Sequence, residues 1–302
     1  MLYPLKFQPI LKDKIWGGQK LKTLLNKDSN LPNIGESWEI SDVEDDTSIV
    51  SNGNLKGKSL KDLLETYKAD LLGERNYQIF GNKFPLLIKF IDAKEDLSIQ
   101  LHPNDELAAK RHNSFGKTEM WYTLQADEGS NLIVGFNQDM TPEKYLSHLK
   151  NKIRLKKKPT LVAGVMVAEI QQTSDITYRV YDWDRVDDNG NERDLHNDLA
   201  IDAFDFNMPD NFRVEYSKKE NESNEMVSCP YFKTSYLKVT KTLRKVNNKD
   251  SFFIYMCVDG EAEIAFEDYT EHIKKGETIL LPAAIRDYEI TSKNASLLEV
   301  YV

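Results

Sequence analysis

The sequence predicts a mainly β chain built from two jelly-roll β-barrels with a few helices. Three observations carry this. From Phe232 onward short strand-like runs follow one another, broken by turn residues. Phe84 to Ala93 is a nearly continuous apolar run suited to a buried strand. Val214 to Ser228, rich in Glu, Lys, Asn and Ser, reads as a linker between two halves. The expected division is an N-terminal domain over 1–213 with helical elements, a linker over 214–228 and a C-terminal domain over 229–302.

In order along the chain, Ile34 to Ile40 alternates like a strand. Ser59 to Leu72 has leucines at helical spacing, with Ser59 as N-cap. After the Phe84 run, Leu97 to Leu101 is the next strand and Asp105 to Arg111 a short helix. Lys117 to Leu124 and Ser130 to Phe136 read as a strand pair turned by Asp127-Glu128-Gly129. Thr141-Pro142 opens a helix running to about Asn151. Val165 to Gln171 and Thr177 to Tyr181 are strands, and Arg193 to Phe206 is predicted helical. The strands that follow are Tyr236 to Thr240, Phe252 to Val258, Ala262 to Phe266, Glu277 to Leu281 and Leu297 to Tyr301.

Composition narrows the function classes. The 302 residues carry 40 Lys and Arg against 49 Asp and Glu, a net charge of −9 that argues against nucleic acid or an anionic membrane as partner. Local positive charge can still bind a phosphorylated small molecule. No apolar stretch could span a bilayer, and Met1 leads into Leu2-Tyr3-Pro4 without a signal-peptide pattern. The two cysteines, Cys229 and Cys257, read as reduced thiols, with Cys257 in core packing. The expectation is a cytoplasmic protein.

Chemistry gathers in three clusters. In Ser98-Ile99-Gln100-Leu101-His102-Pro103, residues two apart on a strand share a face, so Gln100 and His102 bring an amide oxygen and an imidazole to one point. Alone, this pattern favours a strand with polar residues toward solvent. Gly116-Lys117-Thr118-Glu119-Met120-Trp121 adds a carboxylate, Glu119, on a strand that can lie beside the first. Such a mixed N/O ligand set suits a divalent metal, and barrels of the cupin type use it. In the third cluster, Ala168 to Arg185, Glu169 and Arg179 flank a turn-prone Ser-Asp and could return to one cavity. The plainer reading of that pair is a hairpin with a surface ion pair.

In this order the clusters resemble the type I mannose-6-phosphate isomerases, particularly the short bacterial branch. The resemblance rests on PLLIKFIDAKEDLSIQLHP (85–103), FGKTEMWY (115–122), AEIQQTSDITYRVYDWDR (168–185), RDLHNDLAIDA (193–203) and KKGETILLPA (274–283), and covers nearly the whole chain. It implies a zinc-dependent enzyme, with one Zn2+ per chain held by Gln100, His102 and Glu119. The reaction implied is interconversion of mannose 6-phosphate and fructose 6-phosphate through a cis-enediol. Arg179 would lie near the reacting carbons, with Glu169 as candidate base and Lys117 as an active-site lysine. Ser98 and Arg185 would stand near the phosphate.

One family feature is missing. The fourth zinc ligand should be a His about twenty residues before Arg179, on a hairpin; counting back reaches Lys-rich sequence at 155–164, and no His lies between His148 and His196. Either the hairpin is truly deleted, leaving the site crippled or completed otherwise, or residues are missing from the given sequence. Losing two barrel strands would expose core, which favours the second explanation. In the C-terminal half, Gly276 to Pro282 has cupin hairpin spacing, but Arg286-Asp287 stands where a metal-binding His would follow. That barrel is expected to bind no metal. The rival to the enzyme is a non-catalytic sugar-phosphate-binding cupin that has lost its complete metal site.

Overall fold

The computed structural model describes residues 2–132, 134–135, 140–150, 163–186, 190–206, 212–248 and 250–302. It is mainly β, as expected, but among the described residues no sheet closes on itself, so the prediction of two barrels holds only for their strand content. The N-terminal half is built on a five-stranded sheet of Ile10–Gly18, Ile34–Ile40, Leu86–Ala93, Ala163–Gln172 and Glu119–Asn131, in that spatial order. A separate pair joins Ile99–Leu101 to Tyr178–Tyr181. The C-terminal half stacks a five-stranded sheet, in which Ala295–Tyr301 lies between Lys233–Val239 and Phe253–Asp259, with a four-stranded one.

Every residue of Leu86–Ala93 is buried, because both faces of the strand are covered. Phe90, Ile88 and Leu86 pack into a core shared by the two halves, which includes Leu5 and Leu63 along with Phe232, Phe252, Leu298 and Val300. Ile91 and Ala93 join a smaller cluster with Trp16, Leu97, Val165 and Val167. The C-terminal half has its own core around Tyr255, Ile264, Ile279 and Leu297. Cys257 is fully buried there, as expected. Among the described residues no helix is long and apolar enough to cross a membrane.

Ser59 caps the Leu60–Tyr67 helix in a reciprocal capping box with Asp62. The predicted single helix stops at Lys68, whose φ of 47° breaks it before Ala69–Leu72. Pro142–Lys150 forms as predicted, with the Thr141 hydroxyl accepting from Lys144 N; its expected end at Asn151 lies outside the described residues.

Four expectations are corrected. Asp127-Glu128-Gly129 does not turn the chain: Glu119–Asn131 is one strand, and the tripeptide lies in a bulge. Between the pairs Ala126↔Val165 and Asn131↔Ala163, five steps on one strand face two on the other. Lys20 Nζ pins the bulge through Asp127 Oδ2 at 2.7 Å. The predicted end of the second strand, Phe136, lies outside the described residues. Second, Arg193 to His196 is not helical, because its backbone and side chains are spent on Arg179 and Asp182; only Asn197–Ala200 and a following 3-10 turn are helical. Third, Glu169 and Arg179 are not partners in one hairpin: their strands belong to different sheets. Fourth, Ser223–Ser228, assigned to the linker by its polarity, is an edge strand of the C-terminal sheet.

Candidate active site

The strand register places the site. Trp38, Lys89, Glu169 and Trp121 form one cross-strand row, so their side chains leave the same face of the sheet. The neighbouring row holds Leu87, Gln171 and Glu119, and the row on the other side Glu36, Ile91, Val167 and Thr123. Three carboxylates and a lysine thus share a face with Gln171, Thr123 and apolar side chains.

Glu169 is 2% exposed, and both ends of its carboxylate are addressed. Trp121 Nε1 donates to Oε1 at 3.0 Å, while Lys89 Nζ stands 3.4 Å from Oε2. Lys89 also faces Asp175 Oδ1 at 3.8 Å and Glu36 Oε2 at 4.0 Å, and lies over the Trp38 ring. Glu36 accepts from Trp38 Nε1 at 2.6 Å and pairs with Lys14 at 3.2 Å. Burial alone would raise the Glu36 pKa, but Lys89 and Lys14 outweigh it and hold the group below the usual carboxylate range.

His102 reaches this face from the end of the Ile99–Leu101 strand. Its Nδ1 lies 3.1 Å from Ile176 O, which fixes the tautomer with the proton on Nδ1 and the lone pair on Nε2. Burial and the nearby Lys117 push the His102 pKa down to about 3, so the ring is neutral. Nε2 stands 3.7 Å from Glu119 Oε2. Lys117 Nζ lies between them, 3.4 Å from His102 Nε2 and 3.2 Å from Glu119 Oε2. Burial pulls the Lys117 ammonium toward its neutral form, but Glu119, Glu169 and Asp175 more than offset this and raise its pKa. Glu119 is lowered in turn: burial opposes ionisation and Lys117 overcomes it.

Backbone links set these positions. Lys117 N donates to Pro103 O at 3.2 Å, joining the Lys117 segment to the His102 strand. Gly116 N donates to Asp105 Oδ1 at 2.7 Å; a Cβ on Gly116 would stand 2.7 Å from Asp105 N, so only glycine allows this approach. Gln100 Nε2 donates to Ser98 Oγ at 2.9 Å, which leaves the amide oxygen as the end available to a cation.

Two of the sequence-predicted residues stand apart from this group. Arg179 is opposite Gln100 in register, but its Nη1 donates to Asp194 O at 3.0 Å and its buried Nε has no aligned acceptor among the described residues. Burial, Arg193 and Arg185 lower its pKa, against the opposing pull of Asp182 and Asp194. Arg185 Nη2 meets Asp182 Oδ1 at 2.5 Å, and Arg193 Nε meets Asp182 Oδ2 at 2.6 Å. The turn carrying Arg185 has positive φ at both Trp183 (61°) and Asp184 (54°), closed by Arg185 N to Asp182 O at 3.1 Å. Trp183 Nε1 ties it to Leu97 O, next to Ser98. Arg179, Arg185 and Arg193 therefore form a guanidinium cluster around Asp182.

The residues fit a divalent cation in part. Among the described residues no group of three or more His, Cys, Asp or Glu side chains gathers at ligand spacing. What meets is one imidazole lone pair, His102 Nε2, and one carboxylate oxygen, Glu119 Oε2; the Gln100 amide is engaged with Ser98 Oγ. Glu119 Oε2 is buried without an aligned hydrogen-bond donor among the described residues. Two atoms on a tetrahedral zinc ion stand about 3.4 Å apart, close to the separation of His102 Nε2 and Glu119 Oε2. The place expected for a fourth ligand, 155–164, lies outside the described residues up to 162.

Residues 4–136 match the phosphomannose isomerase type I catalytic domain, and residues 222–302 match the mannose-6-phosphate isomerase cupin domain. Mannose-6-phosphate isomerase of Streptococcus mutans is 31% identical over 312 residues, covering 96% of this chain and 95% of its own. The chain belongs to the type I phosphomannose isomerase family. Mannose-6-phosphate isomerase ManA of Bacillus subtilis is 31% identical over 310 residues, covering 95% of each chain. Both alignments are longer than the 302 residues of this chain, so these family members carry residues it lacks. The crystal structure of the mannose 6-phosphate isomerase from Bacillus subtilis superposes over 100% of both chains with a TM-score of 0.87 at 30% identity. A mannosephosphate isomerase structure from Archaeoglobus fulgidus, 21% identical with a TM-score of 0.73 over 99% and 98% of the chains, shares the fold.

Sequence reasoning did not single out Lys89, Glu36, Trp38, Trp121, Asp182 or Arg193. For Lys89 a signal existed: a lone lysine within the apolar run Phe84 to Ala93 is a buried charge that requires partners.

Proposed function

We propose that this family member is a zinc-dependent aldose–ketose isomerase that interconverts mannose 6-phosphate and fructose 6-phosphate through a cis-enediol. The observation that carries the reading is the gathering of His102, Lys117, Glu119 and Glu169 on one buried face. Gln100, His102 and Glu119 would hold the metal, which when bound supplies a Lewis acid for the sugar's oxygens. Glu169 is the candidate base. Its carboxylate, steadied by Trp121 and Lys89, takes the proton from C2 of the aldose and returns it to C1. O2 loses a proton as O1 gains one, so the substrate keeps its atoms and electrons. Lys117 and Arg179 place positive charge where the enediolate oxygens develop. Ser98 and Arg185 orient the phosphate through charge-assisted hydrogen bonds. In this reading residues 1–213 carry the chemistry, residues 229–302 serve for packing, and the enzyme works on a soluble sugar phosphate in the cytoplasm.

The test is a coupled assay of purified protein with mannose 6-phosphate, with and without added Zn2+. Turnover that Glu169→Gln abolishes is the expected result. One observation favours the second reading, a sugar-phosphate-binding protein without catalysis: among the described residues no group of three or more His, Cys, Asp or Glu side chains gathers at ligand spacing. Saturable binding of mannose 6-phosphate with no turnover at any zinc concentration would establish it over the first.

A further inference from the structure

The position of Lys117 has a consequence beyond its use in catalysis. The atoms that would ligate a metal, His102 Nε2 and Glu119 Oε2, are the atoms that face the Lys117 ammonium, at 3.4 and 3.2 Å. The His102 lone pair is the acceptor of the Lys117 N–H, because Nδ1 carries the ring proton toward Ile176 O. Glu119 Oε2 has no aligned donor of its own, only this ion pair. Lys117 is 8% exposed. Lys117 and Glu119 lie two residues apart on the same side of an extended segment, and Pro103 O holds the Lys117 backbone.

We propose that the Lys117 ammonium is the resident cation of the Gln100–His102–Glu119 pocket, and that a divalent metal enters only by expelling it. Lys117 is then a determinant of metal affinity. The pocket is charge-compensated before any metal arrives, so zinc must break two contacts and meet a cation a few ångströms away in a poorly screened site. A pocket with three neutral or anionic ligands and no competing ammonium lacks that opposition. The proposal rests on the metal assignment above, but its test reads metal binding rather than turnover.

Full-length protein stripped of metal is titrated with Zn2+ against a chromogenic chelator. The set is wild type, Lys117→Met, Lys117→Arg, and Lys117→Met combined with His102→Ala. Methionine keeps the length of the stem and removes the charge. Lys117→Met is expected to bind zinc at least about tenfold more tightly than wild type. Lys117→Arg, which keeps the cation, is expected to show no gain, and the His102→Ala combination to lose it. Thermal unfolding of each variant confirms that it is folded. Equal or weaker zinc binding by folded Lys117→Met overturns the proposal while leaving the isomerase reading intact. So does a gain that persists without His102, whereas zinc binding by none of the proteins overturns both the proposal and the zinc-dependent reading it rests on. If Lys117→Met does not fold, Lys117→Gln is measured by the same criteria.

Discussion

Lys89→Met tests the idea that one buried cation holds the site's carboxylates in place. Lys89 is 2% exposed and stands 3.4 Å from Glu169, 3.8 Å from Asp175 and 4.0 Å from Glu36. Methionine fills nearly the same volume, so little cavity is left. The loss is electrostatic: two buried carboxylates lose their shared counter-charge. Removing one partner of a buried pair costs about 3–5 kcal/mol. Glu36 keeps Lys14, and Glu169 keeps the Trp121 N–H, so the lower end, about 3 kcal/mol, is expected. At about 2–4 °C per kcal/mol that lowers Tm by about 6–12 °C. Thermal unfolding followed by tryptophan fluorescence reads this, since Trp38 and Trp121 flank Lys89 and Glu169 in the same row. Adding Glu169→Gln removes one of the stranded charges and should restore about 1–2 kcal/mol. The variant should also lose less of its stability on acidification. Ionised Glu36, its folded pKa held below normal by Lys89 and Lys14, contributes stability that is present above the unfolded pKa and lost as pH falls through the folded one. Without Lys89 that folded pKa rises toward the unfolded value, and the share of the acid limb due to Glu36 shrinks. A loss under about 1 kcal/mol, or a double variant no more stable than Lys89→Met, refutes the account.

Glu169→Gln should lower kcat by about 10²- to 10⁴-fold with little change in KM, measured by coupled turnover of mannose 6-phosphate. Arg185→Gln should raise KM for sugar phosphates by about tenfold and weaken inhibition by inorganic phosphate, with kcat nearly kept; an unchanged KM would remove Arg185 from the phosphate. His102, with a folded pKa near 3 against about 6.5 when unfolded, takes up its proton mainly on unfolding. Its contribution to stability is present above pH 6.5 and lost on acidification toward pH 3, by about 1.4 kcal/mol per pH unit. His102→Gln should therefore show a shallower acid limb in urea unfolding measured between pH 6.5 and 4.

The site was legible where its chemistry is local in sequence. His102, just past the end of one strand, and Lys117 and Glu119, at the start of another, meet in the structure. What escaped was set by pairing across strands. Nothing in the sequence states that Lys89 lies opposite Glu169 and Trp38, or that Glu169 lies opposite Trp121. Nothing in the sequence states that Asp182 gathers Arg185 and Arg193. The non-helical course of Arg193 to His196 was hidden by the helix-forming residues that follow. Likewise Asp127-Glu128-Gly129 has turn chemistry, but a bulge satisfies the same residues without reversing the strand.

The core shared by the two halves has a consequence for how the chain folds as it is made. Phe84, Ile88 and Phe90 pack in one cluster with Phe232, Phe252, Leu298 and Val300, the last two contributed by a strand in the middle of the C-terminal sheet. At synthesis rates of about 5–20 residues per second, the apolar side of the N-terminal sheet waits roughly 10–40 s for that cover. During that interval the nascent chain presents a broad greasy face beside unpaired strand edges. Packing of the N-terminal sheet is therefore completed only once Ala295–Tyr301 has been made.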